Sequence, residues 1–129
     1  MIQAIVILVD SSVWIDHFRE HDEVLSDLLE RERVLAHPFV IGELALGSLH
    51  RREAVLTRLR ELPQALVATD AEVSQFIERE RLFGLGIGYT GAHLLATVRL
   101  THGTALWTRD KRLAAAARRL DLAFGRRPH

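Results

Sequence analysis

Cysteine is absent from the 129 residues, which excludes disulfides, thiolate nucleophiles and zinc–thiolate sites. The absence fits a reducing compartment, and a cytoplasmic location is the expectation. Lysine occurs once, at Lys111. No apolar run approaches the roughly 20 residues of a membrane helix, so no membrane partner is expected. The opening Ile2 to Val9 is apolar, but it lacks a basic leading segment, is interrupted by Gln3 and runs directly into an acid. It therefore reads as a strand and not as a signal peptide. Internal repeats and low-complexity tracts are also missing. The formal net charge is zero, yet residues 1–50 carry nine acids and three arginines, whereas residues 109–129 carry seven bases and two acids. That polarity is compatible with an acidic site bordered by basic residues, and equally with ordinary solvated helix faces.

What remains is a chain of one-domain size with 48% hydrophobic residues, enough to bury a core, so a single domain over residues 1–129 is expected. The stretch IVILVDSSVWIDHF delivers a carboxylate, Asp10, from a strand to the mouth of a helix capped by Ser11 or Ser12. In open α/β sheets that edge binds ligands. Taken alone, Asp10 is better explained as an N-cap. Trp14, Ile15 and Phe18 share a spacing that puts them on one face. Asp22 starts a second helix with Val24, Leu25, Leu28 and Leu29 at helical intervals, Arg33 to Ala36 reads as a short strand, and Pro38 suits the first turn of the next helix. Glu43 lies one turn into it, either reaching the Asp10 cleft or complementing the helix dipole at the surface.

An arginine-bearing helix from His50 to Leu62 follows, ended by Pro63, with a short strand expected at Ala65 to Ala68 and a helix from Asp70. Gly84, Gly86 and Gly88 follow a helix, not a strand, so they predict a tight connection and not a dinucleotide-binding loop. Thr90 is the expected cap of the next helix, which stops near Gly103. Thr104 to Trp107 form a strand ending in Thr108, Arg109 and Asp110, which repeats the opening order of strand, hydroxyl, acid and helix. The alanine-rich KRLAAAARRL has high helix propensity, and Leu122 to Phe124 suit a last short strand before the basic Arg126 and Arg127. Strands alternating with helices predict an α/β fold with a parallel sheet covered on both faces.

Carboxylates at strand ends and helix starts suit hard divalent cations, which prefer oxygen ligands. Such a cation can activate water against a phosphodiester. His17, His37, His50, His93 and His102 show no pairing at metal-ligand spacing and are read as capping, packing or surface residues. At this point VDSSVWIDHF, IGELALG, GIGYTGAHLLAT and LWTRDKRL, in this order, resemble the PIN-domain ribonucleases, specifically the VapC toxins of bacterial toxin–antitoxin pairs. The resemblance covers nearly the whole chain. It implies a PIN-like α/β fold with a central parallel sheet, a Mg²⁺- or Mn²⁺-dependent endoribonuclease acting on structured RNA such as tRNA or rRNA, inhibition by a cognate antitoxin, and homodimerisation.

Residue by residue, the resemblance assigns Asp10, Glu43 and Asp110 as catalytic, metal-binding acids and Ser11 or Ser12 and Thr108 as supporting hydroxyls. The family places a further aspartate where this chain has Gly91, and neither Thr90 nor His93 is an equivalent ligand. The expectation is a chain that folds well, binds metal poorly and cleaves RNA slowly or not at all while keeping its antitoxin surface. Fewer acids also means less mutual repulsion without metal. An alternative is a catalytically inactive PIN-like module that binds RNA or an antitoxin. A phosphoacceptor domain using Asp10 is disfavoured, because no second acid adjoins Asp10 and Lys111 is the only lysine. RNA phosphate contacts are expected from arginine and lysine, with Arg109, Lys111 and Arg112 nearest the acids and Arg51, Arg52, Arg118 and Arg119 more remote.

Overall fold

The computed structural model describes residues 5–125; the expected strand start before Ile5 and the basic Arg126 and Arg127 lie outside them. The chain begins with β1 (Val6–Val9), whose end passes through Asp10 directly into α1 (Ser11–Arg19). Then come α2 (Glu23–Glu30), β2 (Val34–Leu35), α3 (Pro38–Leu46), α4 (Arg52–Glu61), α5 (Asp70–Glu80), α6 (Gly88–Leu100), β3 (Thr104–Trp107) and α7 (Lys111–Arg119). The three strands form one parallel sheet in the order β2-β1-β3. Consecutive strand residues face opposite sides, and Ile7, Leu8 and Val9 are all without solvent contact. Both faces of β1 are therefore covered, as the unbroken apolar run predicts for a parallel sheet. Each such side chain contributes roughly 1.5–3 kcal/mol by leaving water.

Helix α6 is enclosed on every side: Gly91 through Val98 are buried without interruption. A helix apolar all round belongs in the interior, and its one buried hydroxyl, Thr97 Oγ1, donates to the Leu66 carbonyl at 2.9 Å. The alanine-rich α7 instead buries a single stripe of Leu113, Ala116 and Ala117, with Arg118 and Arg119 in the last turn where cations oppose the helix dipole.

Several local expectations are corrected. Ala65 to Ala68 form no strand; their region contributes one parallel bridge, Gln64 to Ala36. Leu122 to Phe124 likewise supply only the bridge of Ala123 to Leu106. In both places the chain pairs for one residue and then turns away, too briefly for a ladder. Thr90 does not cap α6, which already starts at Gly88 behind Ile87. On α1, Trp14 is buried, but Ile15 and Phe18 are each 39% exposed, so the expected shared face is largely outside the core. Val24 is exposed as well. Gly84, Gly86 and Gly88 all have φ near +70°, the conformation a tight turn needs and glycine alone adopts freely.

Candidate active site

The register of the sheet sets the site. Val9 pairs with Trp107, and the Asp10 amide donates to the Trp107 carbonyl at 2.9 Å, so β1 and β3 end side by side and Asp10 faces Thr108. Asp10 stands at the N-cap position of α1 but makes no side-chain cap bond. Its nearly buried carboxylate accepts two hydroxyl bonds at Oδ2, from Ser12 at 2.8 Å and Thr108 at 2.7 Å. Those hydroxyls are themselves aimed. The Arg109 amide donates to Ser12 Oγ at 3.0 Å, and the Asp110 amide donates to Thr108 Oγ1 at 3.1 Å. A hydroxyl has one hydrogen, so holding a lone pair with an N–H turns that hydrogen toward Asp10.

Glu43 approaches from α3. Ser11 Oγ donates to Glu43 Oε1 at 3.3 Å. Desolvation and then the Asp10 charge push the Glu43 carboxyl above the ordinary glutamate range, against the Ser11 hydrogen bond. The two carboxylates are close enough to repel, which is the electrostatic mark of a place for a cation. Asp110 behaves differently from Asp10. Its carboxylate caps α7 by accepting from the Leu113 amide at 3.0 Å, and the residue is exposed. Among the described residues no group of three or more histidine, aspartate or glutamate side chains is placed to hold a metal ion. The expected set of three acids is thus present as a close pair with the third acid turned into a helix cap.

The PIN domain family matches residues 7–119. The chain belongs to the PIN-domain family. It is 48% identical over 119 residues to Ribonuclease VapC32 of Mycobacterium tuberculosis, both from strain CDC 1551 / Oshkosh and from strain ATCC 25618 / H37Rv, across 92% of this chain and 96% of that protein. Fold and sequence together make it a VapC-type PIN domain.

Within this PIN domain the Gly91 position lies at the start of α6, against the first turn of α7. A Cβ there would stand 3.1 Å from Leu113 Cδ1 and 3.7 Å from Ile87 Cβ. His93, two residues on, faces elsewhere: its Nε2 is 3.7 Å from Asp70 Oδ1 and its ring 4.5 Å from that of Phe39. His37 is buried and caps α3 by accepting from the Phe39 amide at 3.0 Å. Burial and then the His93 charge hold its pKa down at about 4. His17 and His21, four residues apart, do pair, with ring centroids 5.1 Å apart; the pairing was not expected from the sequence. No third ligand joins them among the described residues.

The basic candidates separate. Lys111 and Arg112 are exposed, and Arg112 lies over Gly86, where a Cβ would come within 2.5 Å of its Nη1. Arg109 is engaged, with Nη1 2.7 Å from Asp16 Oδ2 and Nη2 2.6 Å from Asp22 Oδ2. Neither Asp16 nor the second role of Asp22 was visible to sequence reading. Asp22 also caps α2, accepting from the Leu25 amide, and that cap is the only signal local sequence carries.

The donors around Asp10 are all oxygens: the Glu43 carboxylate and the Ser11, Ser12 and Thr108 hydroxyls. Such a set fits Mg²⁺ or Mn²⁺, which need only one or two protein carboxylates and complete their shell with water.

Proposed function

We propose that this chain is a metal-dependent endoribonuclease toxin, a single PIN domain over residues 1–129, weakened by glycine at position 91 and acting on structured RNA such as tRNA or rRNA. The observation that carries the reading is Asp10, whose carboxylate is released from capping, oriented by two hydroxyls and set against Glu43. The ribonuclease named as a relative adds support, since it matches almost end to end.

Asp10, Glu43 and Asp110 would hold the Mg²⁺ or Mn²⁺, Asp110 through the carboxylate oxygen that the α7 cap leaves free. Bound there, such a cation would supply an activated water and offset charge on the phosphodiester. Ser12 and Thr108 keep Asp10 in one orientation, so no side-chain motion is required as charge develops. Glu43, fixed by Ser11 at Oε1, would keep Oε2 for the cation. Gly91 contributes no ligand, so the metal is held by fewer charges and cleavage is slow.

A cognate antitoxin would restrain the toxin by filling the groove of about 520 Å³ in which Trp14, Phe18, Leu29, Val55, Leu59 and Leu62 are joined by His17, Arg58 and Glu61. Two copies are expected to associate as a homodimer. No helix among the described residues is long and apolar enough to cross a membrane, and a cytoplasmic site of action is part of the proposal. The second reading, an inactive module that binds RNA or an antitoxin, is favoured by Gly91 alone.

Cleavage of a total tRNA and rRNA pool with Mg²⁺ or Mn²⁺ separates them, comparing this chain, Gly91→Asp, and Gly91→Asp combined with Asp10→Ala. Cutting by Gly91→Asp, abolished by Asp10→Ala, is expected. No cutting by any form, together with retained RNA binding, would move the assignment to the binding module.

A further inference from the structure

We propose that Arg109 is a positioning residue, which ties the β3–α7 turn to the α1–α2 corner so that Ser12 and Thr108 stay on Asp10, and that it does not grip RNA phosphate. The proposal rests on the nuclease reading for its consequence but not for its geometry. Arg109 makes two separate ion pairs, to Asp16 near the end of α1 and to Asp22 at the start of α2. The guanidinium also lies over the Trp107 ring, 5.7 Å from its centroid. Three elements therefore meet at one planar group, and its fork of donors suits two carboxylates at once.

The backbone of the same turn does the aiming. The Arg109 and Asp110 amides hold the Ser12 and Thr108 oxygens, and both hydroxyls donate to Asp10 Oδ2. A turn that shifts by a fraction of an ångström releases both hydroxyls together. The surroundings also argue against a phosphate contact. The recess beside Arg109 is lined by Asp16, Glu20 and Asp22 against Arg19 and Arg109, with His21, so acids outnumber guanidinium groups. The pairs themselves are partly exposed and contribute little to stability; their effect is on geometry.

Two sets of variants test this in the Gly91→Asp background. Arg109→Ala removes the clamp. Asp16→Ala with Asp22→Asn releases Arg109 while leaving it in place, and asparagine retains the α2 cap. Both are expected to lower kcat on tRNA roughly 10- to 100-fold, as supporting groups around a metal site do. In Arg109→Ala, KM and the salt dependence of tRNA binding followed by fluorescence anisotropy are expected to stay unchanged. If Arg109 gripped phosphate, Arg109→Ala would raise KM and flatten the salt dependence, which overturns the proposal. Hydrogen exchange provides a readout independent of activity. The Arg109 and Asp110 amides are expected to exchange at least about tenfold faster in both variants, and unchanged protection would refute the clamp. Should the Gly91→Asp parent cut no RNA, the nuclease reading fails while exchange still decides whether Arg109 holds the turn.

Discussion

Replacing Gly91 with aspartate makes stability depend on metal. The new Cβ meets Leu113 Cδ1 at 3.1 Å, so Leu113 has to move by a few tenths of an ångström. The new carboxylate enters a buried position beside an apolar side chain and close to the α7 turn that Asp110 already occupies. Leaving a carboxylate there without a cation costs about 1–3 kcal/mol by the usual penalty for burying an underpaired polar group. Helix propensity returns a few tenths of that, because aspartate is slightly better than glycine within a helix. With about 4 °C of melting temperature per kcal/mol for a domain of this size, the variant in EDTA should melt about 3–11 °C below the present chain. Binding a cation only in the native state restores about 2.7 kcal/mol at 100 times Kd. Thermal melts in EDTA and in a Mn²⁺ series check this directly. Equal melting temperatures for the variant with and without Mn²⁺, or a metal-dependent rise in the present chain as large as in Gly91→Asp, would refute the account of Gly91 as a missing ligand.

His37 gives an acid-dependent stability. It is neutral and buried, with a native pKa of about 4 against 6.5 for the ordinary imidazole. The unfolded chain therefore binds a proton that the native chain refuses, and stability falls as pH drops from 6.5 toward 4, by about 2 kcal/mol between pH 7 and pH 5. Urea unfolding of this chain and of His37→Asn, whose side-chain oxygen can keep the Phe39 cap bond, should show that pH slope only with histidine present; parallel slopes would dismiss it. Asp110→Ala should cost about 1 kcal/mol through loss of the α7 cap and, in the Gly91→Asp background, slow RNA cleavage as well. A loss of stability with unchanged cleavage, measured by urea unfolding and gel assay, would reduce Asp110 to a cap.

Much of the fold was legible because the local signals agree with one another. Ile7, Leu8 and Val9 are apolar in succession, which only a strand covered on both faces sustains, and Pro38 and the glycines at 84, 86 and 88 mark a helix start and a turn by backbone geometry alone. The failures have a common cause. Ala65 to Ala68 and Leu122 to Phe124 look like strands, but ladder length is decided by how long a neighbour stays alongside, and each neighbour stays for one bridge. Ile15 and Phe18 have core spacing on α1, yet Phe18 stacks on Trp14 at the surface and both stay partly exposed.

The sequence by itself determined the strand-to-helix delivery of Asp10, the parallel α/β architecture, the absence of thiol chemistry and the family, because each rests on residue type and spacing along the chain. Tertiary structure alone decided that Asp10 and Asp110, alike in sequence setting, differ in use. Asp10 is held by Ser12 and Thr108 and set against Glu43, whereas Asp110 gives its Oδ1 to the Leu113 amide as a helix cap. It also decided that Arg109 turns to Asp16 and Asp22. The physical reason is the same in each case: a polar side chain goes to the partner that best replaces lost water, and that partner comes from a strand or helix distant in sequence.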